Sequence, residues 1–242
     1  MLNIVVPLGA NLFFDSAEYF YPKPLIEVRG VPIIELVLAS LKTLPSPHRF
    51  IFILNRKDDA KFHLQDTFRL VANNPCEFVL LEGQSKGAAC SALMAIQYLQ
   101  GKDPMVIANG DQVFNLQLSS VIDDFKRRKL DAGVICFDSV HPRWSYVRLN
   151  EDKLVVEAAE KRPLSRHAVA GFYYFAEGDQ FIALAMKSIE KGVEVNGQFY
   201  VAPILNEYIL EEKSVGIYQV DNSRCQTFYS IQKIEEAQRE AL

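Results

Sequence analysis

The chain alternates short apolar runs with longer stretches in which apolar positions recur at helical spacing. Residues 3–7, 49–54, 77–81, 105–108 and 132–137 are almost unbroken apolar segments, many of them β-branched. Runs this short and continuous suit strands covered on both faces, the habit of a largely parallel sheet. Between them, residues 31–43, 58–71, 87–99 and 118–128 carry helix-compatible patterns, and Pro32 suits an initial helical turn. Such alternation predicts right-handed βαβ units in an open α/β sheet.

After about residue 140 the rhythm changes. Residues 145–149, 153–157 and 168–175 read as strands joined by turns, and 179–191 as a helix. A helix over 199–210, a strand over 214–220 and an amphipathic helix over 228–241 follow. No Pro/Gly/Ser-rich linker, low-complexity tract or internal repeat divides the chain. Residues 1–242 are therefore expected to form one domain, with the second part extending the same sheet over a ligand.

Composition narrows the class. Hydrophobic residues make up 49% and charged residues 23%, as in an ordinary soluble protein able to bury a sizeable core. A net charge of −4 argues against sequence-independent nucleic-acid binding, which needs an excess of Lys and Arg. Cys76, Cys90, Cys136 and Cys225 form no C-x-x-C pair and have no His at metal-ligand spacing. They read as small hydrophobes in a reducing compartment. The N-terminal stretch lacks a charged signal-peptide region, and no apolar run approaches the ~18 residues of a membrane span. A cytoplasmic protein without membrane contacts is expected.

Ligands of open α/β sheets bind where loops leave the carboxyl ends of strands, and three such loops carry chemistry. The first, after residues 3–7, is long, and long loops in compact domains are usually functional. In it Pro22 and Pro24 flank Lys23 with residues of fixed φ, the setting of a phosphate clamp or of a solvated lysine in a rigid turn. The second, EGQSKGAACSAL, opens a predicted helix at Gly87. Small residues there suit backbone N–H contact with an anion or base edge, and equally close packing of a helix on a sheet. The third, Asn109-Gly110-Asp111-Gln112, follows a buried strand with a carboxylate of the kind Mg²⁺ takes together with water and phosphate oxygens. The plain alternative is a solvated turn. Glu160 and Lys161 are adjacent, so on an extended chain only one of them faces a given pocket. Trp144, Tyr146 and Tyr200 are sugar or base platforms, or core residues. The basic run over 126–129 complements a helix C-terminus.

In order along the chain, NIVVP, PKPLIEVRGVPIIELVL, GQSKGAACSAL, ANGDQVF, RWSYVRL, AAEKRPLSRHAVAGFYYF and QFYVAPILNEYI resemble the sugar nucleotidyltransferases. These are also called nucleoside-diphosphate-sugar pyrophosphorylases, and the nearer likeness is to a bacterial branch tied to surface-polysaccharide precursors. The resemblance implies a Rossmann-like fold of the GT-A type, α/β with a mostly parallel mixed sheet flanked by helices. It implies a nucleotide-binding half over 1–140 and an acceptor-binding half over 141–242. The implied reaction joins a phosphorylated small-molecule acceptor to a nucleoside triphosphate and releases pyrophosphate. The implied roles are catalysis by Lys23 and Asp111, with Mg²⁺ on Asp111. Nucleotide contacts fall at Pro7, Leu8, Gly9, Gln84, Gly87, Ala88, Asn109 and Gly110, and acceptor contacts at Glu160, Lys161, Gly171 and Tyr200. A homodimer is compatible with the resemblance.

Two departures stand out. The family opens with G-x-G-x-R; here Gly9 remains, the second glycine is absent and Phe13 stands near the arginine position. Toward the C-terminus Gln226 stands near a family metal aspartate, and Asp221 falls too early to replace it. Phosphoryl-type displacement depends on positioning and charge neutralisation, so it needs no Ser-His or Cys-His pair. Three readings follow: an active nucleotidyltransferase, a degenerate homologue that binds a ligand or partner, and a glycosyltransferase of related fold. Gly-Asp-Gln in place of D-x-D weighs against the last.

Overall fold

A computed structural model of the chain describes residues 1–9, 12–14 and 19–239. β1 (Leu2–Leu8) opens the fold, and the two-residue strands β2 (Glu27–Val28) and β3 (Val31–Pro32) form a small hairpin before α1 (Ile33–Leu41). β4 (His48–Asn55), α2 (Arg56–Phe62), α3 (Leu64–Ala72), β5 (Cys76–Leu81), α4 (Ala88–Leu93), α5 (Ile96–Leu99) and β6 (Met105–Ala108) continue the alternation. β1 lies parallel between β4 and β6, and β5 extends the sheet beyond β4, also parallel. Ile4, Val5, Val6, Phe50, Ile51 and Phe52 are wholly inaccessible, as strands covered on both faces require.

β7 (Gln112–Phe114), α6 (Leu118–Arg127), β8 (Ala132–Asp138), β9 (Ser145–Leu149), β10 (Val155–Glu160) and β11 (His167–Phe175) follow. Then come α7 (Gly178–Glu190), α8 (Ile204–Leu210), β12 (Val215–Gln219), β13 (Cys225–Thr227) and α9 (Ile231–Arg239). β11 runs antiparallel between β6 and β8, and β12 lies parallel to β8. The sheet is therefore mixed and mostly parallel, an α/β fold as expected. Two cores lie on its two faces, one under α1, α3 and α6, the other under α4, α7 and α8. α6 shows the helical logic plainly, burying Leu118, Val121, Ile122 and Phe125 at i, i+3, i+4 and i+7.

The departures from the expected elements have local causes. The helix expected over 58–71 breaks at His63, which takes a left-handed φ of 52° between α2 and α3. The one expected over 87–99 breaks after Leu93, and the one over 199–210 starts only at Ile204. Phe199 cannot be helical because its backbone is spent elsewhere: its N–H reaches Lys86 O at 2.7 Å and its carbonyl accepts from Ala89 N at 3.0 Å. The short β7 and β13 pair with each other across more than a hundred residues, which no local pattern announces. No helix among the described residues is long and apolar enough to cross a membrane.

β11 carries the feature that shapes the site. Its register against β8 shifts between Val169 and Tyr173, and its opposite edge changes partner there. Ala168 faces Tyr146 of β9, whereas Phe172 faces Ala108 of β6. Gly171 sits at this bulge with φ +63°, and its carbonyl accepts from Asn109 N at 2.9 Å. Splitting one strand edge between two partners opens a gap at the carboxyl end of β6, where α/β sheets place their ligands.

Candidate functional site

Two small cavities meet at that gap. The first, about 200 Å³, is lined by Pro7, Leu8, Leu12, Lys23, Pro24, Asn109, Gly110 and Asp111. β1 delivers Pro7 and Leu8 at its end, and β6 delivers the Asn109–Asp111 turn beside them. Lys23 arrives from the long loop in a single 3-10 turn over Lys23–Leu25, pinned by its backbone N–H to Leu12 O at 2.7 Å. Its Nζ donates to Asp111 Oδ2 at 3.0 Å and lies 5.2 Å from the centre of the Phe14 ring. Both side chains keep about a fifth of their surface open, 19% and 24%, so a ligand can reach the pair.

Asp111 is held from behind. Its backbone carbonyl accepts from Phe228 N at 2.8 Å, which ties the turn to the segment after β13. Cys225 of β13 has its thiol pushed up to about 12 by burial, with the Asp111 charge adding to the effect. No cluster of three or more His, Cys, Asp or Glu side chains suited to a metal occurs among the described residues. Gln226 is exposed and faces a separate groove with Val113, Lys233 and Glu236. Asp221 is exposed as well. A lone carboxylate still fits Mg²⁺, which binds protein through one or two carboxylates and fills its octahedron with water and phosphate oxygens.

The second cavity, about 220 Å³, shares Asn109 with the first. Ala88, Gln112, Ser145, Glu160, Gly171, Tyr173 and Tyr200 contribute to its walls. Glu160 ends β10 opposite Ser145, whose hydroxyl donates to its carboxylate. Burial raises the Glu160 carboxyl above its ordinary range, more than the Ser145 bond and the Lys161 charge lower it. Lys161 turns away with φ 54°, and its Nζ donates to Tyr200 Oη at 2.8 Å. Gln112 is 3% exposed, and its Oε1 has no hydrogen-bond partner among the described residues. A Cβ on Gly171 would come within 2.1 Å of that oxygen and 2.3 Å of Asn109 Nδ2, so the bare glycine is what lets both amides line the cavity.

The Gly87 loop packs tightly. Gly87 has φ +106°, and a Cβ there would meet Phe199 O at 2.3 Å. Ala89 N already donates to that carbonyl, so one N–H of the helix start is used within the protein, while Ala88 lines the second cavity. Gly9 is buried near Leu81 and Ser91, linking the first loop to the second. Gln84 is exposed in the turn after β5 and lines neither cavity. Phe13, near the expected arginine position, places its ring 5.7 Å from that of Phe62. Trp144 is half-buried, 5.2 Å from the Phe137 ring and 5.8 Å from the Tyr229 ring, and borders the second cavity. Tyr146 is core, its hydroxyl donating to His141 O at 2.7 Å. Sequence reasoning did not single out Gln112 or Ser145. Their only signal was position, one residue past the acidic turn and directly opposite Glu160.

A broader groove of about 1180 Å³ lies between α1 and β12, away from these residues. Its Asp138 is ion-paired to Arg166, and its Arg224 donates to Asn115 O. It offers no carboxylate–lysine pair of the Asp111 kind.

The family model for nucleotidyl transferases matches residues 19–214. No curated protein matches the chain in sequence. Among solved structures, the nucleoside-diphosphate-sugar pyrophosphorylase from Vibrio cholerae RC9 superposes with a TM-score of 0.86 at 18% identity, covering 98% of this chain and 100% of that one. A putative glucose-1-phosphate thymidylyltransferase from Bacillus anthracis, in complex with a sucrose, gives 0.75 at 17% identity over 98% and 94%. At such identities the likeness speaks to the fold, while the family match spans most of the sequence. The chain belongs to the nucleotidyl transferase family, enzymes of the 2.7.7 type.

Proposed function

We propose that the protein transfers a nucleotidyl group from a nucleoside triphosphate to a phosphorylated sugar or similar small molecule, with Mg²⁺ and release of pyrophosphate. The observation that carries this reading is the Lys23–Asp111 pair, 3.0 Å apart at the carboxyl end of β6, in a cavity that Asn109 joins to the Glu160 cavity. One charge-handling centre thus borders one polar pocket, the arrangement a two-substrate phosphorus displacement needs. Pro7, Leu8, Gly9, Gln84, Gly87, Ala88, Asn109 and Gly110 belong to the nucleotide side, and Glu160, Lys161, Gly171 and Tyr200 to the acceptor side. The sequence likeness to the surface-polysaccharide precursor branch favours a sugar or polyol phosphate as acceptor.

In the step itself an oxygen of the acceptor phosphate forms a bond to the α-phosphorus. The bond from that phosphorus to the bridging oxygen breaks, and pyrophosphate leaves with the electron pair. A phosphate dianion is already a nucleophile, so no side-chain base is required. Lys23 neutralises charge on the phosphates, and Asp111 orients Lys23 and offers the metal its protein ligand. Mg²⁺ bound there supplies the positive charge that offsets what gathers on the α-phosphate and the leaving group. The buried Glu160 accepts hydrogen bonds from acceptor hydroxyls.

A second reading, a homologue that binds ligand without turning it over, draws on Phe13 packing against Phe62 near the expected arginine position. An arginine there would add charge-assisted bonds of about 1.5–3 kcal/mol each. The deciding experiment incubates the protein with the four common nucleoside triphosphates, Mg²⁺ and a panel of sugar and polyol phosphates, and measures pyrophosphate. Release with one pairing, abolished in Asp111→Asn, supports transfer. Triphosphate binding by calorimetry with no pyrophosphate from any pairing supports the second reading.

A further inference from the structure

We propose that Arg143, stacked on Tyr229 at the rim of the second cavity, is the clamp for the phosphate of a hydroxylated phosphomonoester. The inference rests on the functional reading above for which substrate enters this cavity, but not for its geometry. Arg143 lines the cavity. Its guanidinium lies 3.7 Å from the centre of the Tyr229 ring. Stacking on an aromatic face fixes the plane of the group and leaves its edge, with the paired N–H donors, free to grip phosphate oxygens.

No described residue satisfies that edge. Among the described residues every other arginine except Arg29 has a carboxylate, amide or carbonyl partner, as with Arg162 on Glu157 and Arg166 on Asp138. Among the described residues, Arg143 has no hydrogen-bond or ion-pair partner for its side chain. The β9–β10 hairpin also brings a second cation to it. Glu160 pairs with Ser145, and Lys161 N donates to Trp144 O at 3.0 Å, so the backbones of Arg143 and Lys161 lie near each other at the open end of the hairpin. Lys161 Nζ is held there by Tyr200. Two cations at one cavity mouth favour an anion that can reach both. Deeper in, the cavity changes character: the Gln112 Oε1 without a partner and the buried Glu160 both call for hydrogen-bond donors. Anion at the mouth and donors at the floor describe a phosphomonoester carrying hydroxyl groups. Tyr229 comes from the same segment as Phe228, whose N–H holds Asp111, so one stretch of chain braces both ends of the cleft.

The chain's single tryptophan is the neighbour of Arg143 and packs on Tyr229, which supplies a reporter. Glycerol 3-phosphate, glucose 1-phosphate and inorganic phosphate are titrated at constant ionic strength, against glycerol and glucose. Binding is read by Trp144 emission and by calorimetry. The expected result is saturable binding of the phosphates, at least about tenfold weaker in Arg143→Met. Arg143→Lys restores part of the loss, because a point charge returns without the fork. Tyr229→Leu weakens binding severalfold with the charge intact, and Arg29→Met changes nothing. Wild-type affinity in Arg143→Met, or no binding of any phosphate to the wild-type protein by either method, overturns the proposal. If Arg143→Met does not fold, the Lys and Tyr229 variants decide, and wild-type affinity in both overturns it. Pyrophosphate release that is silent while binding depends on Arg143 sinks the functional reading alone; release that survives with Arg143-independent binding sinks this one alone.

Discussion

The two walls of the cleft are built differently. On the wall proposed for the nucleotide, Lys23 and Asp111 sit in turns, and their one mutual contact is a partly open ion pair. On the wall proposed for the acceptor, Ser145, Glu160 and Gly171 belong to strands, and the sheet itself fixes them. Ser145 and Glu160 are cross-strand partners, and Lys161 is one backbone bond from Trp144. Asn206 of α8 closes the free edge of β10 with two bonds of 2.8 Å, to Ala158 N and Ala158 O. The first wall can lose a side chain without losing the fold. The second cannot lose its backbone geometry without losing the site.

That contrast breaks first at Gly171. Its left-handed φ and the amides that crowd its missing Cβ make Gly171→Val the most damaging of the changes considered for the cleft. Backbone strain and overpacking together should cost about 2–4 kcal/mol, a fall in melting temperature of roughly 5–15 °C. Pyrophosphate release should vanish with it, because Asn109 and Gln112 are displaced. A variant with wild-type melting and activity would show that the bulge is no constraint. Asp111→Asn is the opposite case. Removing one half of a partly exposed pair should change stability by no more than about 1 kcal/mol. Activity should fall by about 10² or more, because the charge that organises the phosphates is gone. Parallel melting curves with a collapsed rate would separate the two walls cleanly.

The same division explains what the sequence allowed to be read. The buried parallel strands and amphipathic helices announce themselves locally, since burial on both faces or on one stripe leaves a direct pattern. The loop motifs were legible as chemistry because Pro22-Lys23-Pro24 and Asn109-Gly110-Asp111 concentrate residues with few other uses. That Lys23 and Asp111 meet was implied by the family resemblance and by no local pattern, because 88 residues separate them. Non-local pairing hid β7 and β13, and with them the route by which Phe228 braces Asp111. The late start of α8 was hidden for the same reason, since the backbone of Phe199 is committed to Lys86 and Ala89, over a hundred residues away. Gly171 was named through the resemblance alone; its bulge, and the exchange of β9 for β6 on one edge of β11, leave no local pattern.

Glu160 sharpens the comparison through pH. Burial raises its carboxyl above the ordinary value of 4.5, so the folded protein holds a proton that the unfolded chain has released. Between 4.5 and the raised value the folded state binds more protons, and stability falls as pH rises through that window. Glu160→Gln removes this slope. The variant should melt higher than wild type at pH 7, and the gap should close below pH 4.5. Acceptor affinity should drop in the same variant, since an amide is a weaker acceptor than a carboxylate. Equal pH dependence of melting in the two proteins would mean that burial does not govern this group.

The smallest effect expected is at Tyr200, and it tests whether the acceptor wall is tuned as well as built. Tyr200→Phe deletes one hydroxyl, the acceptor of the Lys161 Nζ bond, and keeps the ring 4.9 Å from that ammonium. The ring packing is retained, so stability should move by no more than about 0.5 kcal/mol. Lys161 would keep its attraction to the ring face but lose its fixed direction. A bond of this kind contributes about 0.5–1.5 kcal/mol, so KM for the acceptor phosphate should rise roughly two- to tenfold. The triphosphate KM should stay unchanged, because Tyr200 borders only the second cavity. If instead both KM values rose together, the two cavities would act as one compartment, and Asn109 would be a shared floor and not a divide.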